Sequence, residues 1–131
     1  MPLRWYTVVV DCVDASAQAD WWSLVLDWPK VYEAPDEVVL IPPQALTQSD
    51  SVPPMERGPG LVFVPVPEGK TVKNRLHLDL APLAGEDQAE AVERLVGLGA
   101  TRSDVGQSAD VTWVVLADPE GNEFCVLSPR D

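Results

Sequence analysis

One order of strand and helix signals occurs twice along this chain, and that repeat constrains the fold more than any other feature. "WYTVVVDCV" (5–13) is rich in β-branched and aromatic residues and predicts a strand. Behind it Ala17, Trp21, Leu24, Val25 and Trp28 recur at helical spacing, with Asp14 as N-cap and Pro29 as the stop. "KVYEA", "EVVLIP" and "LVFVPV" (61–66) then read as strands, with Pro65 marking a sheet edge or a strand end. After a polar connector (67–74) the order returns. "RLHLDLA" (75–81) alternates its faces, and 86–98 predicts a helix with Ala89, Val92, Leu95 and Val96 on its buried side. Gly99 suits the end of that helix, and short strands are expected near 100–104, 111–117 and 123–127. Setting "VVDCV" (9–13) against "HLDLA" (77–81) pairs Val9 with His77 and Asp11 with Asp79.

The pattern β-α-β-β-β, connector, β-α-β-β-β predicts an α+β fold. It would be a single domain over 1–131, with one module at about 3–68 and another at about 73–129. Each helix must cover one face of a small sheet, which leaves the opposite face free to line a shared cleft. The segment 42–60, "PPQALTQSDSVPPMERGPG", reads as a long loop, either a lid over that cleft or a plain insertion. "DPEGN" (118–122) is a turn signal: Pro fixes φ early and Gly supplies a positive φ later.

Composition narrows the partners. Apolar residues make up 46% of the 131, enough for a core. Nine basic against 21 acidic residues give a net charge of 9 − 21 = −12. That charge disfavours nucleic acid and anionic membrane surfaces, and favours cations or basic small molecules. Cys12 and Cys125 form no disulfide framework and no metal-binding spacing, so buried, reduced thiols and a cytoplasmic location are expected. Neither a signal peptide nor a transmembrane stretch is read from the chain. Dinucleotide, P-loop, nucleophile-elbow and H-E-x-x-H motifs are missing from it as well.

"KNRLHLDLAP", the helix ending "RLVGLGATR" and "WVVLADPEGNEFCVL" together resemble the glyoxalase-like domains of the vicinal oxygen chelate superfamily. That superfamily includes glyoxalase I, the bleomycin resistance proteins and the extradiol dioxygenases. The resemblance covers the second half in detail and the first half by pattern. It implies paired βαβββ modules whose sheets form an open, barrel-like cleft. In metal-dependent members of that superfamily the ligands, His, Glu or Gln, come from the first and last strand of each module. Carried over, the second module offers His77, the chain's one histidine, and Cys125 where a Glu is expected. The first module offers Val9, or Thr7 in a slipped register, and Val64 or Val66. A divalent metal needs about three or four protein ligands. No cofactor is therefore expected, although a metal held through His77 and Cys125, with Asp79 or Asp11, is the competing reading.

Alternation places His77 and Asp79 on the cleft face, with Leu76, Leu78 and Leu80 toward the core. Asp11 and Cys125 then face the cleft, while Cys12, Phe124 and Val126 face the core. Candidate ligand-binding residues are Val9, Asp11, Val64, His77, Asp79, Trp113 and Cys125. His77 is a candidate acid/base and Asp79 its orienting partner, against the plainer reading of a hydrogen-bonded relic of the family pattern. Asp11 and Asp79 together could hold a cationic group or satisfy backbone at a strand end. Trp5 and Trp113, on strands, suit core packing or an aromatic wall for a flat ligand, and Trp21 and Trp28 a helix core. Trp22 could widen that core face or enter a subunit contact. The leading expectation is a metal-independent small-molecule-binding homodimer, with sequestration of the bleomycin-resistance kind as its sharpest form. The alternative is a lyase or isomerase using His77, and a third reading is an interaction domain with an empty cleft.

Overall fold

The computed structural model describes residues 1–48 and 51–131. It divides into two compact units, Met1–Gly69 and Lys70–Asp131.

The first unit runs β1 (Thr7–Cys12), α1 (Ala15–Leu26), β2 (Lys30–Ala34), β3 (Glu37–Leu40), α2 (Pro43–Gln48) and β4 (Gly60–Pro65). Its sheet has the order β1-β4-β3-β2. β1 and β4 run parallel, with Val9 opposite Val62 and Asp11 opposite Val64; β3 is antiparallel to β4. Alternation sorts the strands as period 2 requires. Cys12, Val38, Leu40, Leu61 and Phe63 are buried, while Val9 and Asp11 are exposed on the opposite face.

Helix α1 packs on β3 and β4. Asp14 caps it, its carboxylate accepting from the Ala17 N–H at 3.0 Å. The helix stops before Pro29, because Asp27 turns into the left-handed region at φ 54°. Its buried residues are Ala15, Gln18, Ala19, Trp21 and Trp22. Trp22 is therefore core, not a subunit contact: it is 4% exposed and meets Trp21 edge-on, with centroids 5.1 Å apart. Leu24, expected on the buried side, is exposed. Two adjacent tryptophans bury more area than a leucine on the next turn, so their packing sets which side of α1 faces the sheet.

The stretch 42–60 is not a plain loop. It carries α2 and a 3₁₀ turn at Pro54–Glu56, each begun by a proline at a first helical position. There the ring's fixed φ is pre-organised and the missing N–H is no loss. Residues 49–50 within it lie outside the described residues. Pro65 ends β4, which lies inside its sheet, so the edge reading does not hold.

The second unit runs β5 (Asp79–Leu80), α3 (Gln88–Gly97), β6 (Thr101–Arg102), β7 (Val114–Ala117) and β8 (Glu123–Val126), in the sheet order β5-β8-β7-β6. Again the first and last strands are parallel, Asp79 opposite Cys125. Both units are thus βαβββ modules with open four-stranded sheets, and the chain is an α+β protein. Leu116, Phe124 and Val126 are buried on one face. Helix α3 buries Val92 and Leu95, whereas Ala89 and Val96 are exposed. Gln88 fixes that rotation, since its side-chain amide donates to the carbonyls of Thr112 and Val126, both at 2.9 Å. Asp87 caps the helix, and Gly99, with φ 115°, closes its end.

The first strand of this unit is shorter than its alternation predicts. Leu78 and Leu80 accept ladder bonds from Cys125 and Leu127, but Asn74 gives its N–H to the Glu123 carboxylate. Residues 75–77 precede the ladder, and Leu76, expected in the core, is 90% exposed.

Candidate functional site

The uncovered face of the second sheet carries a cavity of about 280 Å³. That lies just below the roughly 300–1,000 Å³ range of small-molecule pockets. Strand register builds it: Asp79 on β5, Cys125 on β8 and Val115 on β7 stand opposite one another across three neighbouring strands. Trp113, Val105 and Leu127 supply further apolar wall, while Lys73, His77 and Glu123 join the polar side.

His77 Nε2 lies 3.3 Å from Asp79 Oδ1, with side chains 43% and 49% exposed. The Cys125 thiol is buried and hydrogen-bonded to the Asp79 carboxylate. Burial pushes its pKa up, the Asp79 charge and hydrogen bond push it further, and the Lys73 charge opposes them. At rest this is a protonated thiol, not an activated nucleophile. One ligand atom from each of His77, Asp79 and Cys125 lies within 4.8 Å of the others.

Glu123 shapes the pocket rim. Its carboxylate accepts from Lys70 Nζ at 2.7 Å and from the Asn74 N–H at 3.1 Å. Burial alone would raise its pKa. Those donors outweigh burial and hold the carboxyl below its ordinary range. The Asp118 turn aims β8 at the pocket. One Asp118 oxygen accepts from the N–H groups of Glu120 and Asn122, each at 3.0 Å, and Gly121 takes φ 88°.

The structure therefore brings His77, Asp79, Trp113 and Cys125 together on one unit. Val9, Asp11 and Val64 share the uncovered face of the first unit's sheet. A wider hollow in that unit, about 610 Å³, lies beside the start of α1. Its polar groups are engaged: Asp14 caps the helix, and Glu33 accepts from Lys30 and Ser16. Sequence reasoning missed Glu123, Lys73 and Gln88. Period-2 alternation from Cys125 marks Glu123 as facing the pocket, but nothing local marks Lys73 in its polar connector.

The family model of the glyoxalase-like domain matches residues 7–127. The chain belongs to the glyoxalase-like domain family. Solved structures agree at the level of fold. A fosfomycin resistance protein, FosX, of Listeria monocytogenes, complexed with Mn(II) and sulfate, superposes with a TM-score of 0.70 at 11% identity, over 98% of this chain and 92% of that one. A glyoxalase/bleomycin resistance protein/dioxygenase family enzyme of Burkholderia phytofirmans gives 0.69 at 16% identity, over 96% and 98%. A glyoxalase/bleomycin resistance protein of Albidiferax ferrireducens gives 0.60 at 15%, over 95% and 97%. No curated protein matches the sequence closely enough to compare.

For metal-dependent members of such folds, the resemblance implies ligands at four positions, two in each module. The first module presents Val9 and Val64 there, which offer no donor atom, so that shared set is not met. Among the described residues, no helix is long and apolar enough to cross a membrane.

Proposed function

We propose that this glyoxalase-like protein binds a compact organic molecule in the pocket of its second unit. The carrying observation is the convergence of Trp113 and apolar strand side chains with one polar end formed by His77 and Asp79. An aromatic or aliphatic body lies against Trp113, and a cationic or hydrogen-bond-donating group meets the Asp79 carboxylate. The net charge of −12 supports a cationic ligand by raising its local concentration. Binding of this kind needs no metal, takes place in the cytoplasm, and in its sharpest form is drug sequestration by a homodimer. That homodimer has no ground in Trp22, which is core.

Titration of tryptophan fluorescence with small cationic aromatic compounds, in the presence of a chelator, tests this reading. Saturable quenching is expected, with the response lost in Trp113→Phe and affinity about tenfold weaker in Asp79→Asn, roughly 1.4 kcal/mol. A flat titration across aromatic, cationic and neutral probes overturns it.

A second reading is favoured by the 3.3 Å His77–Asp79 pair. In it His77 is the acid/base of a lyase or isomerase, and Asp79 sets its tautomer. That reading predicts a turnover abolished by His77→Ala with the fold intact.

A further inference from the structure

We infer that the pocket of the second unit selects a small aromatic zwitterion, an amino acid whose ammonium group meets Asp79 and whose carboxylate meets Lys73. The inference rests on the organic-ligand reading and narrows it, because a ligand that is only a cation satisfies half of this site. The polar side of the cavity is not acidic throughout: Lys73, Asp79 and Glu123 all line it. Glu123 is already matched, its carboxylate accepting from Lys70 Nζ at 2.7 Å and from the Asn74 N–H at 3.1 Å. Those bonds tie the chain on both sides of Lys73 to β8 and so hold Lys73 at the pocket. Lys73 itself is exposed, and its ammonium donates to the Asn74 carbonyl at 3.2 Å. An ammonium is a triple donor, so donors remain for a ligand. Among the described residues Lys73 has no ion-pair partner, and Asp79 lies beside His77 and the Cys125 thiol with no ammonium or guanidinium to neutralise it.

An ammonium and a carboxylate, each without a counter-ion, thus line a single cavity. Their fields overlap inside it, since the Cys125 thiol feels the Asp79 charge in one sense and the Lys73 charge in the other. A lone cation drawn to Asp79 is repelled by Lys73, and a lone anion drawn to Lys73 is repelled by Asp79. A ligand that carries both charges is attracted twice. Trp113 and Val115 receive its apolar body. The anionic group is a carboxylate rather than a phosphate. Lysine offers a point charge and not a bidentate fork, and a dianion would stand against the Asp79 and Glu123 carboxylates.

Calorimetric titration of the full-length protein, in chelator, tests this with probes that share a phenyl ring and differ in charge. They are L-phenylalanine, its β-amino isomer 3-amino-3-phenylpropanoate, phenethylamine and 3-phenylpropanoate. One of the zwitterions should bind about fivefold or more tighter than either singly charged probe. Lys73→Met should remove that advantage and leave phenethylamine bound as tightly as before or more so. Lys73→Glu should reverse the ranking in favour of phenethylamine. Lys73 is exposed and bonds only its neighbour's carbonyl, so both variants keep the fold, which circular dichroism checks. Equal binding of phenethylamine and the zwitterions overturns the inference and leaves the organic-ligand reading standing. So does an advantage that survives in Lys73→Met. Tightest binding by 3-phenylpropanoate overturns the part given to Asp79. No heat with any probe overturns the inference, and the organic-ligand reading falls with it only when the fluorescence titration is flat as well.

Discussion

Glu123 shows how one side chain here serves two structures. It is a strand residue of β8, yet its carboxylate anchors Lys70 and the Asn74 backbone and so fixes the chain that leads into His77. Glu123→Gln should destabilise the protein by about 1–3 kcal/mol, read as a shift in urea midpoint, because a mostly buried ion pair and its hydrogen bonds lose their charge. The sign of its pH dependence follows from its depressed pKa. Its contribution is complete above the ordinary carboxylate pKa. It is lost as pH falls through the lower, folded-state value. The wild type should therefore lose part of its stability in acid that Glu123→Gln lacks from the start. Cys125 behaves oppositely. Its thiol is held protonated by burial and by Asp79. Alkylation with iodoacetamide should be slow at neutral pH and accelerate only in alkali. Asp79→Asn should move that acceleration to lower pH, and an unchanged pH–rate profile would refute the Asp79 influence.

At the scale of elements, turns and caps decide where the pocket side chains point. Asp118 is 4% exposed, and its carboxylate accepts two backbone N–H groups and the Asn122 amide. Asp118→Ala should cost about 1–3 kcal/mol and loosen the β7–β8 register, seen as faster amide exchange at Phe124 and Cys125. Asp87→Ala, which removes the cap of α3, should cost about 1 kcal/mol in the same denaturant assay. The alternation of β8 is readable in its four letters, and so is the turn before it. The rotation of α3 is not. Apolar spacing put Ala89 and Val96 inward. Instead Gln88 reaches the carbonyls of Thr112, just before β7, and of Val126 on β8, and those hydrogen bonds outweigh the burial of a small alanine.

The molecule as a whole carries a charge of −12 on 131 residues. Self-repulsion of that size opposes the compact state, and salt screens it. The melting temperature should rise as NaCl is added from low ionic strength to about 0.15 M, where the Debye length is roughly 8 Å. A flat or falling dependence would show that local ion pairs such as Lys70–Glu123 outweigh the net charge. Each unit also has its own core, with Phe63 in the first and Phe124 in the second fully buried. Phe63→Ala should cost about 3–5 kcal/mol, measured by denaturant unfolding.

Sequence alone determined the repeated βαβββ order, the cap at Asp14, the DPEGN turn and the facing of Asp79 and Cys125. All of these rest on interactions a few residues apart or on period-2 alternation, which local letters record. Tertiary structure decided the burial of Trp22, the exposure of Leu76, the place of Glu123 on the pocket rim and the approach of the Cys125 thiol to Asp79. Those depend on which strands become neighbours and in what register. Strand pairing joins residues more than forty positions apart, such as Asp79 and Cys125, through backbone hydrogen bonds that any side chain permits.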